Sequence, residues 1–480
     1  PKGQTGTFSN VEIRNWRLPR NILSAHEGMT IKGDTRLLTP QETGQAVLRT
    51  LFQTQKPIRK ARLYVTARGE YDLTLNGQRI TEDYLNPGLT QYNKTLMYQT
   101  YDLTAFMNKG NNELRATLGE GWWSGGLSYD LSNWNFFGDR QSLLAKLVVT
   151  YDDGTTQTIA TNPETWEYTT DGPVRYGSLF QGEVYDARRE IIAAWRPAVV
   201  VPLESVISHD KNFWPTPDDY SDYRLIAQIG KPVRPYTTLT AQSVTEVRPG
   251  VYVYDMGQNM PGVPCVTFNG LDAGTTVRMR FAEVKYPDLP AYKDNVGMVM
   301  MENIRAAMAQ DTYITKGSGQ EIYQSRHTYH GYRYVEITGI PEALPLNMVK
   351  GIVLSSIDKF SASYSTSDSL LNRLFENVKW SSLANVFSIP TDCPQRNERM
   401  GWSGDLSVFS PAMSYLFNGA QFLNRHLLAL RDTQEPDDAF PAIAPIGGGF
   451  GGPLWQSVGI VMPWQCYQQY HDLEALQAHY

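Results

Sequence analysis

Cysteine is almost absent from this chain. Cys265, Cys393 and Cys466 are the only 3 in 480 residues, and their wide spacing offers neither a disulfide framework nor a zinc-type ligand set. Histidine is scarce as well. His327 and His330 stand closest together, but an odd separation on a strand turns them to opposite faces, and no further His, Cys or acid cluster completes a ligand set. No metal and no organic cofactor is expected. Charge is thin, at 19% of residues with a formal net charge of −6, so there is no basic footprint for nucleic acid or an anionic membrane surface. No apolar run reaches the ~18 residues of a membrane-spanning helix. Repeats with a period of ~20–50 residues are missing too. The glycine run Gly447-Gly-Gly-Phe-Gly-Gly452 lacks the following Lys-Ser/Thr of a phosphate loop, and reads as a rim loop or a plain connection. The first residue is Pro1, so a targeting segment is not legible. The aromatic, Asn-rich composition leans toward a periplasmic or secreted protein, with a cytoplasmic one still open. Nothing in the sequence speaks to oligomeric state.

Aromatic residues are plentiful: 12% of the chain, with 11 Trp and 28 Tyr, suits sugar stacking and core packing equally. The length calls for roughly two to four domains. Up to about residue 350 the pattern is that of short strands with turn chemistry. Tyr71, Leu73 and Leu75 alternate with Asp72 and Thr74 before a tight Asn76-Gly77 turn. Residues 148–151 run into Asp152-Asp153-Gly154, and residues 155–159 return. Residues 251–254 precede a turn-like Met256-Gly-Gln-Asn259, and residues 275–281 and 329–337 are further strands. Such spacing predicts two antiparallel β-sandwiches. After about Ser361 the period becomes 3.6. Ser367 is a candidate N-cap, and Leu370, Leu371, Leu374, Phe375 and Val378 form the stripe of a buried helix face that Pro390 ends. Helical pattern returns over residues 405–417, 420–430, 459–470 and 472–480.

Between these helical segments lies Asp392-Cys-Pro-Gln-Arg-Asn-Glu-Arg-Met-Gly-Trp-Ser-Gly-Asp405. Asp392, Glu398 and Asp405 are the carboxylates that glycosidic cleavage needs, where one acid protonates the leaving oxygen and another works on the opposite face. A structural role is the alternative: Arg396 and Arg399 pair with the acids, and Asp405 caps the next helix. Trp455 and Trp464 are either sugar platforms or helix-packing residues, with packing favoured for Trp464. Trp122-Trp123 reads better as core or domain contact than as a sugar platform, and the methionines at 298, 300, 301 and 308 as a connecting segment.

The order Asp-Cys-Pro-Gln-Arg-x-Glu-Arg-x-Gly-Trp-x-Gly-Asp resembles the signature of bacterial α-L-rhamnosidases, glycoside hydrolase family 78. The segments Lys60-Ala-Arg-Leu-Tyr-Val-Thr-Ala-Arg-Gly69, Gly119-Glu-Gly-Trp-Trp123 and Gly182-Glu-Val-Tyr-Asp-Ala-Arg188 resemble the same family. So do Asp255-Met-Gly-Gln-Asn259, Phe281-Ala-Glu-Val284 and Tyr329-His-Gly-Tyr-Arg-Tyr-Val-Glu336. The resemblance implies a multidomain fold: a first β-sandwich over residues 1–225 with a leading β segment over 1–45, a second over 226–358, and from 359 to 480 the start of an incomplete (α/α)6 toroid.

It also implies inverting hydrolysis of terminal α-L-rhamnosides, with a rhamnose-containing glycoside or polysaccharide as substrate. Glu398 matches the general acid, Asp392 and Arg396 match residues holding rhamnose hydroxyls, Trp402 a pocket wall, Asp405 a further acid, and Trp455 a substrate-side indole. The general base is expected beyond Tyr480; Glu435, Asp437 and Asp438 match no base motif. One departure stands out: where the family shows Trp-x-Asp-Ala, this chain has Trp455-Gln-Ser-Val458. A carbohydrate-binding relative without catalysis, and an (α/α)6 enzyme for another sugar, are the alternatives.

Overall fold

The computed structural model describes residues 44–128, 134–207, 217–449 and 451–479, together with the backbone of four short strands between Gly6 and Ile31. Most of the expected leading segment, with Phe450 and Tyr480, lies outside the described residues.

The first region is two sheets on one core. A six-stranded sheet runs in the order Arg196–Pro197, Trp166–Thr169, Val47–Thr54, Gly110–Gly119, Glu70–Leu75, Gln78–Arg79. A five-stranded sheet runs Thr156–Ala160, Ser142–Tyr151, Ile58–Arg68, Thr95–Asp102, Arg224–Ala227. Period-2 alternation sends Leu63 and Val65 from one sheet, and Leu73, Leu114, Ala116 and Leu118 from the other, into a shared interior with Leu147, Val149 and Trp166. The Asn76-Gly77 turn forms as its sequence predicts: both residues take positive φ, 54° and 77°. Asn76 also locks the turn with its side chain, donating to Phe106 O and accepting from Glu113 N.

A ten-stranded sheet follows, built around the long strand Val251–Asn269. Here the expected turn at Met256-Gly-Gln-Asn259 is corrected. The strand continues through it as a bulge, with a register shift between Asp255 and Met260 against the strand His330–Thr338. Gly257 at φ 77° absorbs the extra residues, and Asp255 Oδ1 accepts its N–H at 2.7 Å. Two strands from earlier in the chain extend this sheet at one edge: Gly182–Asp186 pairs parallel with Gln310–Ile314, and Val174–Ser178 pairs with Gly182–Asp186 outside it.

Six helices complete the described chain: α1 (Ser369–Asn385), α2 (Ser403–Leu416), α3 (Ala420–Asp432), α4 (Pro453–Gln456), α5 (Val458–Tyr470) and α6 (Leu473–His479). Leu423, Leu427 and Leu430 on α3 meet Val458, Met462 and Cys466 on α5 in a common core, spaced as a 3.6-residue period requires. Two expectations for α1 are corrected. The N-cap is Asp368, whose carboxylate accepts from Leu370 N and Leu371 N, because its oxygen reaches the second and third amides of the first turn where Ser367 lies one residue too early. The stripe is only half covered: Phe375 and Val378 pack against the helical core as expected, but Leu370 is 78% exposed and Leu374 59%. Trp464 on α5, expected in a core, is likewise 49% exposed. No helix among the described residues is long and apolar enough to cross a membrane.

A single buried cluster runs from Trp122 and Trp123 through Tyr313, Tyr329 and Tyr332 of the ten-stranded region to Phe387, Met400 and Ile443. Trp122-Trp123 is therefore core, as favoured from sequence. The same cluster anchors the segment that joins α1 to α2.

Candidate active site

After α1 the chain makes a two-residue-per-strand hairpin, Val386–Phe387 with Ile389–Pro390, then runs without regular structure to α2. Tyr329 stacks on Phe387 with ring centroids 4.0 Å apart. Gly331 makes the seat for the next segment: a Cβ there would stand 2.7 Å from Pro394, so only glycine admits the Asp392-Cys-Pro394 stretch against the sheet. Arg399 is the central bolt. Its backbone takes φ 55°, and its buried guanidinium donates to Leu179 O at 2.7 Å, Tyr329 O at 2.8 Å and Arg396 O at 3.1 Å. The cation lies over the faces of Tyr329 and Phe180, at 4.4 and 5.3 Å from their centroids. Arg399 thus serves the loop's shape and does not pair with the acids.

Arg396 does pair with them. Its Nη2 donates to Asp392 Oδ2 at 2.9 Å and its Nε to Glu398 Oε2 at 2.7 Å. Asp392 Oδ1 accepts Met400 N–H at 2.7 Å, which closes the loop on itself. Trp402 Nε1 donates to Glu398 Oε1 at 3.2 Å. A residue that the sequence reading passed over completes the group: Arg305, from the ten-stranded region, donates Nη1 to Glu398 Oε2 at 2.9 Å. It sits among the methionines read as a mere connection, and one lone cation in an apolar stretch was the only signal available. Burial, and then the Glu398 charge, push the Asp392 carboxyl up to about 6.

Asp405 and Trp455 stand beside this group. Asp405 is in the first turn of α2 but does not cap it, since Trp402 holds the N-cap position. A cavity of about 900 Å³ is lined by Thr391, Asp392, Trp402, Asp405 and Trp455, and on its other side by Leu374 and Val378 of α1 and Phe409 of α2. Gly404 makes room for the Trp455 indole, because a Cβ at that position would come within 2.6 Å of it. The glycine run passes beside Trp402 at Gly449. Glu398 is only 8% exposed and does not line the cavity itself; it bonds to Trp402, which does, and to Arg396, which bonds the lining Asp392.

Asp392, Cys393 and Glu398 hold one ligand-type atom each within 4.8 Å of one another. Both carboxylates already take guanidinium donors, and burial raises the Cys393 thiol well above its usual range, away from the thiolate a metal requires. The set suits an arginine-held acid pair better than an ion. His327 and His330 do not join it. Each is buried on its own carboxylate, His327 Nδ1 on Glu70 at 3.1 Å and His330 Nε2 on Asp311 at 2.9 Å.

Three family models match in order: the α-L-rhamnosidase N-terminal domain over residues 56–206, the bacterial α-L-rhamnosidase concanavalin-like domain over 245–355, and the bacterial α-L-rhamnosidase six-hairpin glycosidase domain over 359–480. The chain belongs to the bacterial α-L-rhamnosidase family. An α-L-rhamnosidase of Streptomyces avermitilis is 40% identical over 88% of this chain and 39% of its own length. One from Formosa agariphila is 32% identical over 95% of this chain and 47% of its own. The crystal structure of the Streptomyces avermitilis α-L-rhamnosidase complexed with L-rhamnose superposes with a TM-score of 0.80 at 39% identity, covering 91% of this chain and 41% of that one. The chain thus spans under half the length of these α-L-rhamnosidases. The shared architecture is a mostly β amino-terminal part followed by a helical part.

Proposed function

We propose that the protein hydrolyses terminal α-L-rhamnosides with inversion at the anomeric carbon. The observation that carries this is the hydrogen-bonded group Asp392–Arg396–Glu398–Trp402 at the edge of the cavity, set within a family whose named relatives are α-L-rhamnosidases. Glu398 is the general acid. As the bond from the anomeric carbon to the leaving oxygen lengthens, the Glu398 proton passes to that oxygen. Asp392 and Arg396 grip ring hydroxyls, where charged partners make the stronger hydrogen bonds. Trp402 presents an apolar face to the C6 methyl of the deoxysugar, and Asp405 and Trp455 border the pocket. Inversion needs a water on the far side and a second carboxylate ~6.5–9.5 Å from the acid. No residue of the described chain is assigned that task.

The fold reading goes with it: two largely antiparallel β-sandwiches, over residues 1–225 and 226–358 except that residues 174–186 join the second and Arg224–Ala227 the first, each by a parallel pairing, leading from residue 359 into an (α/α)6 toroid. The uncovered apolar faces of α1 and α5 support a toroid, in which such faces pack against neighbouring helices.

Glu398→Gln in the full-length protein tests the proposal. It removes the proton and keeps the shape, so turnover of a rhamnoside with a poor leaving group should fall by ~10²–10⁴-fold. Wild-type rates in that variant would sink the assignment. Calorimetric binding of rhamnose by a wild-type protein that turns over no rhamnoside would favour a binding protein instead, the reading that Ser457 in place of the family's acid motivates.

A further inference from the structure

Glu398 is not held by its own loop alone. Its two oxygens differ: Oε2 takes both Arg396 Nε at 2.7 Å and Arg305 Nη1 at 2.9 Å, whereas Oε1 takes the neutral Trp402 N–H at 3.2 Å. Arg305 belongs to another part of the fold, 93 positions earlier in the chain, at the end of the short helix Glu302–Ile304.

Its placement is built on both sides. Ile304 is fully buried, Ala306 N donates to Asn397 Oδ1 at 3.0 Å, and Gln181 bridges Ala306 O and Met308 N. Asn397 is the residue just before Glu398, so the same contact that fastens this segment also fixes the acid's backbone. Arg305 itself takes φ 59° and ψ −119°, a conformation that L residues avoid and that the flanking bonds impose. The turn aims the side chain across the seam at Glu398.

We propose that Arg305 is a positioning residue for proton donation, contributed to the acid by the β region; this rests on Glu398 being the general acid. Because Oε2 accepts from both guanidiniums, it is the carbonyl oxygen of the protonated acid, which leaves Oε1 as the oxygen that bears the proton. In the step, the Oε1–H bond breaks, the proton goes to the departing glycosidic oxygen, and the electron pair of that O–H bond stays on Glu398. The charge that develops is met at Oε2 by donors already in place, so no reorganisation is needed when it forms. Arg305 is 42% exposed, so water screens it and its share is smaller than that of an enclosed donor.

The test is leaving-group dependence. An activated dinitrophenyl rhamnoside departs with little help from an acid, while an alkyl or sugar aglycone needs its proton. Arg305→Gln in the full-length protein should lower kcat on an alkyl rhamnoside by ~10–100-fold, below the ~10²–10³ of an enclosed donor, and the loss should exceed that on the dinitrophenyl rhamnoside by at least ~10-fold. Arg305→Lys, which restores a charge, should recover part of that difference. Equal losses on both substrates, or no loss on the alkyl one, would overturn the proposal, and an unchanged melting temperature would rule out unfolding as the cause. Glu398→Gln runs alongside. If it stays active, or if the wild type cleaves neither substrate, the assignment of the acid has failed and Arg305 falls with it. If Glu398→Gln is inactive on the alkyl substrate and Arg305→Gln is not impaired, only the inference about Arg305 has failed.

Discussion

Glu120 should make the β region lose stability as pH rises from acid to neutral. It follows Gly119 and leads into Gly121-Trp-Trp123, so the turn that inserts two indoles into the core also buries a carboxyl. Burial, and then the charge of Glu70, push that carboxyl from its ordinary 4.5 to about 8. The unfolded chain loses the proton near the ordinary value, and the folded chain keeps it until about 8. Between those points the native state binds more protons, so stability is intact below ~4.5 and falls as pH rises through that window. At ~1.36 kcal/mol per pH unit the interval amounts to at most ~5 kcal/mol, and water entering the seam lowers that to ~2–4. Other groups face the same seam. Glu70 holds His327, whose pKa is raised: burial lowers it, but the Glu70 bond and charge outweigh that, so this pair too weakens as pH rises. Tyr176 is pushed up by burial and by the Glu120 charge, and stays neutral throughout. Glu120→Gln isolates one contribution, because it keeps the shape and removes only the titration. The assay is hydrogen exchange of peptides covering residues 110–127 at pH 5, 7 and 9, corrected for intrinsic rates, since a multidomain chain has no single unfolding free energy. Equal protection at pH 5, with the variant better protected at pH 9 by ~2–4 kcal/mol, is expected. Parallel profiles for wild type and variant across the range would refute the assignment.

Two further substitutions probe the loop and the cavity. Gly404→Ala puts a methyl 2.6 Å from the Trp455 indole; overpacking of ~1–3 kcal/mol should appear in thermal melts, together with a raised KM for an aryl rhamnoside as Trp455 is displaced. Arg399→Met leaves the carbonyls of Leu179 and Tyr329 buried without their donor, and should cost ~2–4 kcal/mol of hydrogen-exchange protection in peptides covering residues 386–402, with loss of turnover because Asp392 and Glu398 lose their scaffold.

The grouping of Asp392, Arg396, Glu398 and Trp402 was legible because it is local. Asp392, Arg396, Glu398 and Trp402 fall within eleven positions, close enough for one loop to carry them all. What the sequence withheld depends on partners elsewhere in the chain. Met256-Gly-Gln-Asn259 has the composition of a turn and of a bulge alike; pairing with His330–Thr338 across the sheet decides for the bulge. The α1 stripe shows the right period, and period reports which side of a helix is apolar but not what covers it. Arg399 and Arg396 look equivalent in the motif, yet one is caged by carbonyls of Leu179 and Tyr329 and the other is given to the carboxylates. Arg305 is the sharpest case. No motif around it points to Glu398, and its approach is set by Gln181 and Asn397, which fasten its segment from two sides. Glu398 therefore comes from the loop between α1 and α2, while the two guanidiniums that bond it come from that loop and from the β region. Substitutions in the β region should for that reason alter catalysis without touching the motif.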